Sequence, residues 1–192
     1  MTPDNPSDGN GRRQFLMRAG GGVVGIGAAA LLLPSGAIAA VAKTNGDVGV
    51  IQTALALEHE GIAAYMIAGK SGLLSPGTLK VAQLFMGHHQ QHRDALAKLI
   101  TQAGGKPVEP KTDQQYITEL NLGALKSEKD VITLAINLEH GAASAYIGQI
   151  SALRDPKTTK VFAEISADEA VHWTTLNNAA GTPLPAAAFI FA

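Results

Sequence analysis

Residues 57–92 and 138–172 of this sequence carry one pattern twice. The first copy runs Leu57-Glu58-His59, then Tyr65, Ser75-Pro76 and His89-Gln90-Gln91-His92. The second runs Leu138-Glu139-His140, then Tyr146, Asp155-Pro156 and Glu169-Ala170-Val171-His172. Glu58 and Tyr65 map onto Glu139 and Tyr146 at an offset of 81 residues, whereas Pro76, Val81, His92 and Leu96 map onto Pro156, Val161, His172 and Leu176 at an offset of 80. The residue lost between the two offsets is expected in the turn between helices, where a change of length costs least. Two matched hairpins that bury their faces against each other imply a pseudo-twofold axis, with matched residues at one depth. One position breaks the match: His89 stands where the second copy has Glu169.

Each copy reads as two helices. Ile51, Leu55, Glu58, Ile62, Tyr65 and Met66 recur at steps of three and four and share a helical face. Ser75-Pro76 supplies an N-cap followed by proline at the first helical position, and the stripe Val81, Phe85, His89, His92, Leu96 and Leu99 follows. Ser127-Glu128-Lys129-Asp130 has the form of a capping box and opens a third long helix with Ile132, Ile136, Glu139, Ala143, Tyr146 and Ile150 on one face. Asp155-Pro156 opens a fourth, striped by Phe162, Ile165, Glu169, His172 and Leu176. Lys70-Ser71-Gly72, Gly104-Gly105 with Lys106-Pro107, and Gly181-Thr182-Pro183 end helices. The expected fold class is all-α, a four-helix bundle of two hairpins joined by a long crossover.

The connection over residues 104–126 is mostly polar, with a short helical turn expected near Gln115–Leu120. A loop of that length argues against a compact domain unless the topology requires it. Here it does: parallel second and third helices of about 24 residues need a crossover of roughly 35 Å, which this stretch can span.

Glu58, His89, His92, Glu139, Glu169 and His172 all sit inside apolar stripes, where a carboxylate is costly unless paired or bound to metal. All six histidines (His59, His88, His89, His92, His140 and His172) fall within the repeated segments, and none lies in the connection or the tail. His88 is turned about 100° from His89 on the helix and is expected outside the cluster. His59 and His140 face away from their glutamate neighbours, and support of a ligand from behind or a surface role are open alternatives. Tyr65 and Tyr146 read as core aromatics that cap the bundle, with orientation of a ligand as the alternative. Glu60, Glu164 and Asp168 read as solvated charges. The cluster as a whole is expected to bind metal; a metal-free hydrogen-bonded network is the alternative.

Composition narrows the chemistry. With no cysteine, disulfides, thiolate iron–sulfur centres and zinc knuckles are excluded, leaving histidine and carboxylate as the strong metal ligands. A formal net charge of −1 provides no basic surface for nucleic acid.

The first 39 residues have another character. Arg12-Arg13-Gln14-Phe15-Leu16 precedes an uncharged run from Ala19 to Leu33, and Ala37-Ile38-Ala39 supplies a small-x-small cleavage pattern. That order is a signal peptide's, and the paired arginines resemble the twin-arginine export motif. The apolar run is shorter than the roughly 20 residues a membrane span needs, so no stable anchor is expected after cleavage. The expected organisation is a twin-arginine signal peptide over residues 1–39, the bundle over 40–183 and an apolar tail over 184–192. The expected location is periplasmic or otherwise exported. The tail packs either on the bundle or on a neighbouring subunit of a homo-oligomer.

The repeated Glu, Glu-x-x-His and Tyr positions resemble the ferritin-like, carboxylate-bridged di-metal proteins. The opening Leu57-Glu58…Tyr65, the histidine-rich second helix and Gly104-Gly105-Lys106-Pro107-Val108-Glu109-Pro110 look most like the exported, desiccation-associated branch, near the rubrerythrin type. The resemblance implies Glu58, His92, Glu139, Glu169 and His172 as ligands, with His89 at the remaining position. Where the family typically bridges its metals with carboxylates, His89 cannot bridge in that way. Four glutamates neutralise two divalent ions, whereas three leave a charge of +1 in a low-dielectric core. The resemblance implies one or two transition-metal ions, iron favoured and Mn, Zn or Cu as alternatives. The implied activity is oxidation of Fe(II) with dioxygen or peroxide. The alternatives are a non-catalytic metal-binding or stress-associated bundle, or a metal-free scaffold.

Overall fold

The computed structural model describes residues 46–191. The signal peptide expected over 1–39 and the start of the bundle domain expected at residue 40 lie outside the described residues. Within them the regular elements are α1 (Asp47–Lys70), α2 (Pro76–Gln102), α3 (Asp113–Glu119), a 3-10 turn at Leu122–Ala124, α4 (Glu128–Ile150) and α5 (Pro156–Ala179). Among the described residues there is no strand, and no helix is long and apolar enough to cross a membrane.

Local chemistry places the helix starts. Ser75 accepts a hydrogen bond from the Thr78 N–H, Asp155 accepts from Lys157 and Thr158, and proline follows each cap. The Ser127 box forms only halfway. Ser127 accepts from the Asp130 N–H, but the Asp130 carboxylate takes the Lys126 N–H one residue before the cap. The complete capping box belongs to Thr112 and Gln115, which open α3. At the end of α2, Gly104 adopts a left-handed φ of 79° and Gly105 lets the chain pass Ile100, whose Cγ2 a Cβ would meet at 2.9 Å.

Helices α1 and α2 form one antiparallel hairpin, and α4 and α5 the other. Cross-bonds define how the hairpins meet. Tyr65 of α1 donates to Glu139 of α4, and Tyr146 of α4 donates to Glu58 of α1, so these two helices run antiparallel about a pseudo-twofold axis. The α2–α5 pair is antiparallel too, with His92 facing Asp168 and His88 facing His172. The repeat extends to the bundle ends. Asp47, which opens α1, accepts the backbone N–H groups of Arg154 and Asp155 ahead of α5, and Glu128, which opens α4, accepts the N–H of Ser75 ahead of α2. The turns 71–75 and 151–155 are equal in length, so the missing residue comes from the end of α4 and not from the turn.

Two apolar clusters flank the polar centre. One comprises Val48, Ile51, Leu55, Leu96, Ile100, Tyr146, Phe162 and Ile165; the other is built on Tyr65, Ala82, Phe85, Ala135 and Leu176. The α1 stripe is wider than its large residues indicate. Ala54, Ala63, Ala64 and Ala68 are buried while Ile62 and Met66 are half-buried, because α1 packs against α2, α4 and the crossover at once.

The crossover follows α1. The Gln52 side chain donates to the Lys106 carbonyl at 2.6 Å and accepts the Val108 N–H at 2.8 Å, while Tyr116 and Leu122 bury their side chains. The short helix expected at 115–120 is α3, displaced slightly toward the N-terminus by its Thr112 cap. The tail returns to its own bundle, with Phe191 packed edge-on against Trp173 at 5.2 Å.

Candidate metal centre

The six stripe-borne candidate ligands meet at mid-bundle. Glu58, His89, His92, Glu139, Glu169 and His172 are all buried, none more than 7 % exposed. One donor atom from each of Glu58, His89, His92 and Glu169 lies within 4.8 Å of the others, and the same holds for His89, Glu139, Glu169 and His172. His89 and Glu169, the mismatched pair of the repeat, belong to both groups. The arrangement is two overlapping four-donor sets with an imidazole and a carboxylate in common.

Helix geometry aims these atoms. In each i, i+3 pair both side chains point to the same side of the helix. His92 Nδ1 lies 3.1 Å from Glu169 Oε1 and 3.6 Å from Glu58 Oε2; His172 Nδ1 lies 3.2 Å from Glu169 Oε2 and 3.3 Å from Glu139 Oε2. His89 spans the gap, Nδ1 at 2.9 Å from Glu58 Oε2 and Nε2 at 3.4 Å from Glu139 Oε1. Gly61 makes room for that ring: a Cβ there would meet His89 Cε1 and Nδ1 at 3.2 Å. The matched position in the other hairpin is Ala142.

The donor set fits a cation. His92 Nδ1 and Glu169 Oε1 are buried without a hydrogen-bond partner despite their closeness, as expected for atoms directed at a common point and not at each other. Three imidazoles and three carboxylates suit iron, manganese, zinc or copper in donor type.

Electrostatics couple the six groups. Burial pulls the histidines toward their neutral forms, but adjacent carboxylates outweigh it. The carboxylates of Glu169 and Glu58, 3.1 and 3.6 Å from its Nδ1, bring His92 up to about 10, Glu139 and Glu58 raise His89 well above the usual range, and Glu139 and Glu169 raise His172. Burial pushes the carboxylates up, yet His89 and His92 hold Glu58 low, and His172 and His89 hold Glu139 well below its ordinary value. Glu169 alone is raised, by burial and by its hydrogen bond to Glu139. Imidazolium and carboxylate can therefore balance each other without metal.

Several of the sequence expectations change. His88 does reach inward: its Nδ1 lies 2.9 Å from His172 Nε2, because the side chain bends across the α2–α5 seam. Asp168 remains largely exposed but places Oδ2 3.2 Å from His92 Nε2. Glu60 is half-buried beneath the crossover, and burial raises its pKa despite Lys111 nearby. Tyr65 and Tyr146 are core aromatics and also direct donors to Glu139 and Glu58. Glu164 is as expected, an exposed residue paired with Lys160. His59 and His140 serve a role that neither alternative described. His59 Nε2 donates to the Val108 carbonyl at 3.0 Å and His140 Nε2 to the Ile190 carbonyl at 3.1 Å, so each pins the segment that follows its own hairpin. The repeated Glu-His dipeptide was the signal for that matched role.

Comparison with known proteins adds the following. The profile of a family described as "Ferritin-like domain" matches residues 46–182. No curated protein matches the chain. A conserved hypothetical protein from Mycobacterium tuberculosis is similar in structure, with a TM-score of 0.63 at 24% identity over 75% of this chain and 96% of that one. A dodecameric thioferritin, the bacterioferritin-related protein from Bacteroides fragilis, superposes with a TM-score of 0.56 at 14% identity over 77% of this chain and 93% of that one. At these identities the likeness concerns the fold alone.

Proposed function

This chain belongs to the ferritin-like domain family, and from that premise we propose that its core binds one or two transition-metal ions, iron first, and oxidises Fe(II) with dioxygen or peroxide outside the cytoplasm. The observation that carries this reading is the pair His92 Nδ1 and Glu169 Oε1, buried, unpartnered and 3.1 Å apart at the overlap of two donor sets. The export half rests on Arg12-Arg13 and the apolar run after them.

Bound iron would supply the electron transfer: two Fe(II) ions each give one electron to a peroxide, which takes two protons and leaves as two waters. The residues supply the rest. Glu58 with His92 would hold one ion and Glu139 with His172 the other, with Glu169 and His89 between them. Tyr146 and Tyr65 take up Oε1 of Glu58 and Glu139, which directs each Oε2 inward. Asp168 accepts the outer proton of His92 and His88 that of His172, freeing each Nδ1 lone pair for the centre. The Phe85 ring stacks on His172 at 4.1 Å and excludes water from that side.

A second reading, metal binding without turnover, is favoured by one observation: the His89 ring reaches both Glu58 and Glu139 from the place of a bridging carboxylate. Anaerobic Fe(II) titration followed by dioxygen or peroxide separates the two. Stoichiometric loading with a transient or stable chromophore and repeated turnover is expected. Full loading with a flat optical trace would leave metal binding standing and remove the oxidase reading.

A further inference from the structure

The two ends of the bundle are filled differently at matched positions. At one end Phe162 packs edge-on against Tyr146, ring centroids 5.2 Å apart, with Ile100 fully buried in the same cluster. The offset of 80 makes their counterparts Ala82 and Ala180. Ala82 sits in the cluster with Tyr65, and Ala180 is exposed at the end of α5. Phe85 meets Tyr65 edge-on, ring centroids 6.2 Å apart, but it also lies against His172 at 4.1 Å and does not line the space beside Ala82. The space that an aromatic ring fills beside Tyr146 therefore stays open beside Tyr65.

The opening is an apolar pocket of about 30 Å³, part-open to solvent and lined by Tyr65, Ala68, Ala82, Ala135, Leu138 and Leu176 among other, mostly aliphatic, side chains. One water needs roughly 10–15 Å³ measured in this way, together with two to four polar partners. There is room for a molecule of two or three heavy atoms, but almost nothing for water to bond. The Tyr65 hydroxyl is already committed to Glu139, and the only other hydroxyl in the wall is that of Thr78. Such a space offers water few partners and is receptive to small apolar guests. Tyr65 separates it from the centre by a single side chain, its ring facing the cavity while its hydroxyl holds a ligand carboxylate.

We infer that this cavity is a holding site for a small apolar molecule of dioxygen's size, beside the centre. Its use as a reservoir of oxidant rests on the oxidase reading above; the binding itself does not. Xenon is the probe, applied to metal-free protein in solution by xenon NMR and to pressurised crystals. One saturable site beside Tyr65 is expected in the native chain and is expected to vanish in Ala82→Phe. Ala135→Leu fills the opposite wall and gives the same readout if Ala82→Phe does not fold. Absence of a saturable site, or xenon retained at the same place in a folded filled variant, overturns the inference. Displacement of xenon by decanoate would mark an acyl-chain groove and overturn it too. Xenon binding alongside a flat iron trace would leave the cavity standing and remove only its connection to oxidation. With turnover present, the filled variants should load metal fully but oxidise iron several-fold more slowly at low dissolved oxygen.

Discussion

His89 and Gly61 act as a pair. An imidazole needs more width than a carboxylate, and the missing Cβ across the interface supplies it. The exchange of a carboxylate for an imidazole also changes what the empty centre can tolerate. With His89 raised well above its ordinary pKa, a third positive charge opposes the three carboxylates. His89→Glu removes that charge and adds a fourth carboxylate. In chelator the variant should lose about 3–5 kcal/mol, the usual consequence of stranding buried charge. Its affinity for iron should rise, since four carboxylates neutralise two divalent ions. Thermal melts with and without chelator, together with iron titration, test both parts. Unchanged values in both would show that His89 does not set the charge of the centre. This residue was visible in the sequence as a broken repeat; the space at Gly61 was not, because closeness between α1 and α2 is not encoded by spacing along either helix.

At the level of elements, the two hairpins are tied to one another and to the segments that follow them. Asp47 and Glu128 each accept N–H groups from the start of the opposite hairpin's second helix, so the ends are strapped reciprocally. His59 and His140 do the equivalent at mid-helix, for the crossover and the tail. Such a bond contributes about 1 kcal/mol net. His140→Ala should therefore leave helicity and metal stoichiometry unchanged while the tail beyond residue 183 becomes the first site of limited proteolysis. Cleavage at an unchanged rate would mean that Trp173 and Phe191 hold the tail without the histidine. Helix limits and caps were largely readable, since capping and proline placement are local. The Ser127 box was misread because Asp130 had two nearby N–H groups to choose from, and only the bend of the chain decides between them.

For the whole molecule, the centre links stability to pH with opposite signs in its two states. His92 rises from 6.5 to about 10 on folding. Its ionised form therefore stabilises the metal-free fold fully below pH 6.5, and that contribution is lost as pH rises through about 10. Glu58 and Glu139, held below 4.5, contribute above that value and lose their contribution as pH falls through their lowered folded values. A metal requires the histidine lone pairs, so its binding releases these protons and tightens over the range in which the metal-free fold weakens. The gap between melting temperatures with metal and with chelator should widen steadily from about pH 6.5 upward. Parallel curves would show that the imidazolium–carboxylate network is not what the metal displaces.

The sequence by itself determined the four helices, their pairing into two hairpins and the six side chains that converge, because periodicity, caps and an internal repeat are properties of the chain taken a few residues at a time. Only the tertiary structure decided which outer groups touch those six. His88, Asp168, Tyr65 and Tyr146 reach the centre across helix interfaces, where side-chain length and crossing geometry matter more than position on a stripe. The same holds for the open space beside Tyr65. Ala82 is an unremarkable residue in the sequence, and only the packing around it leaves open the space that Phe162 fills at the matched position at the other end of the bundle.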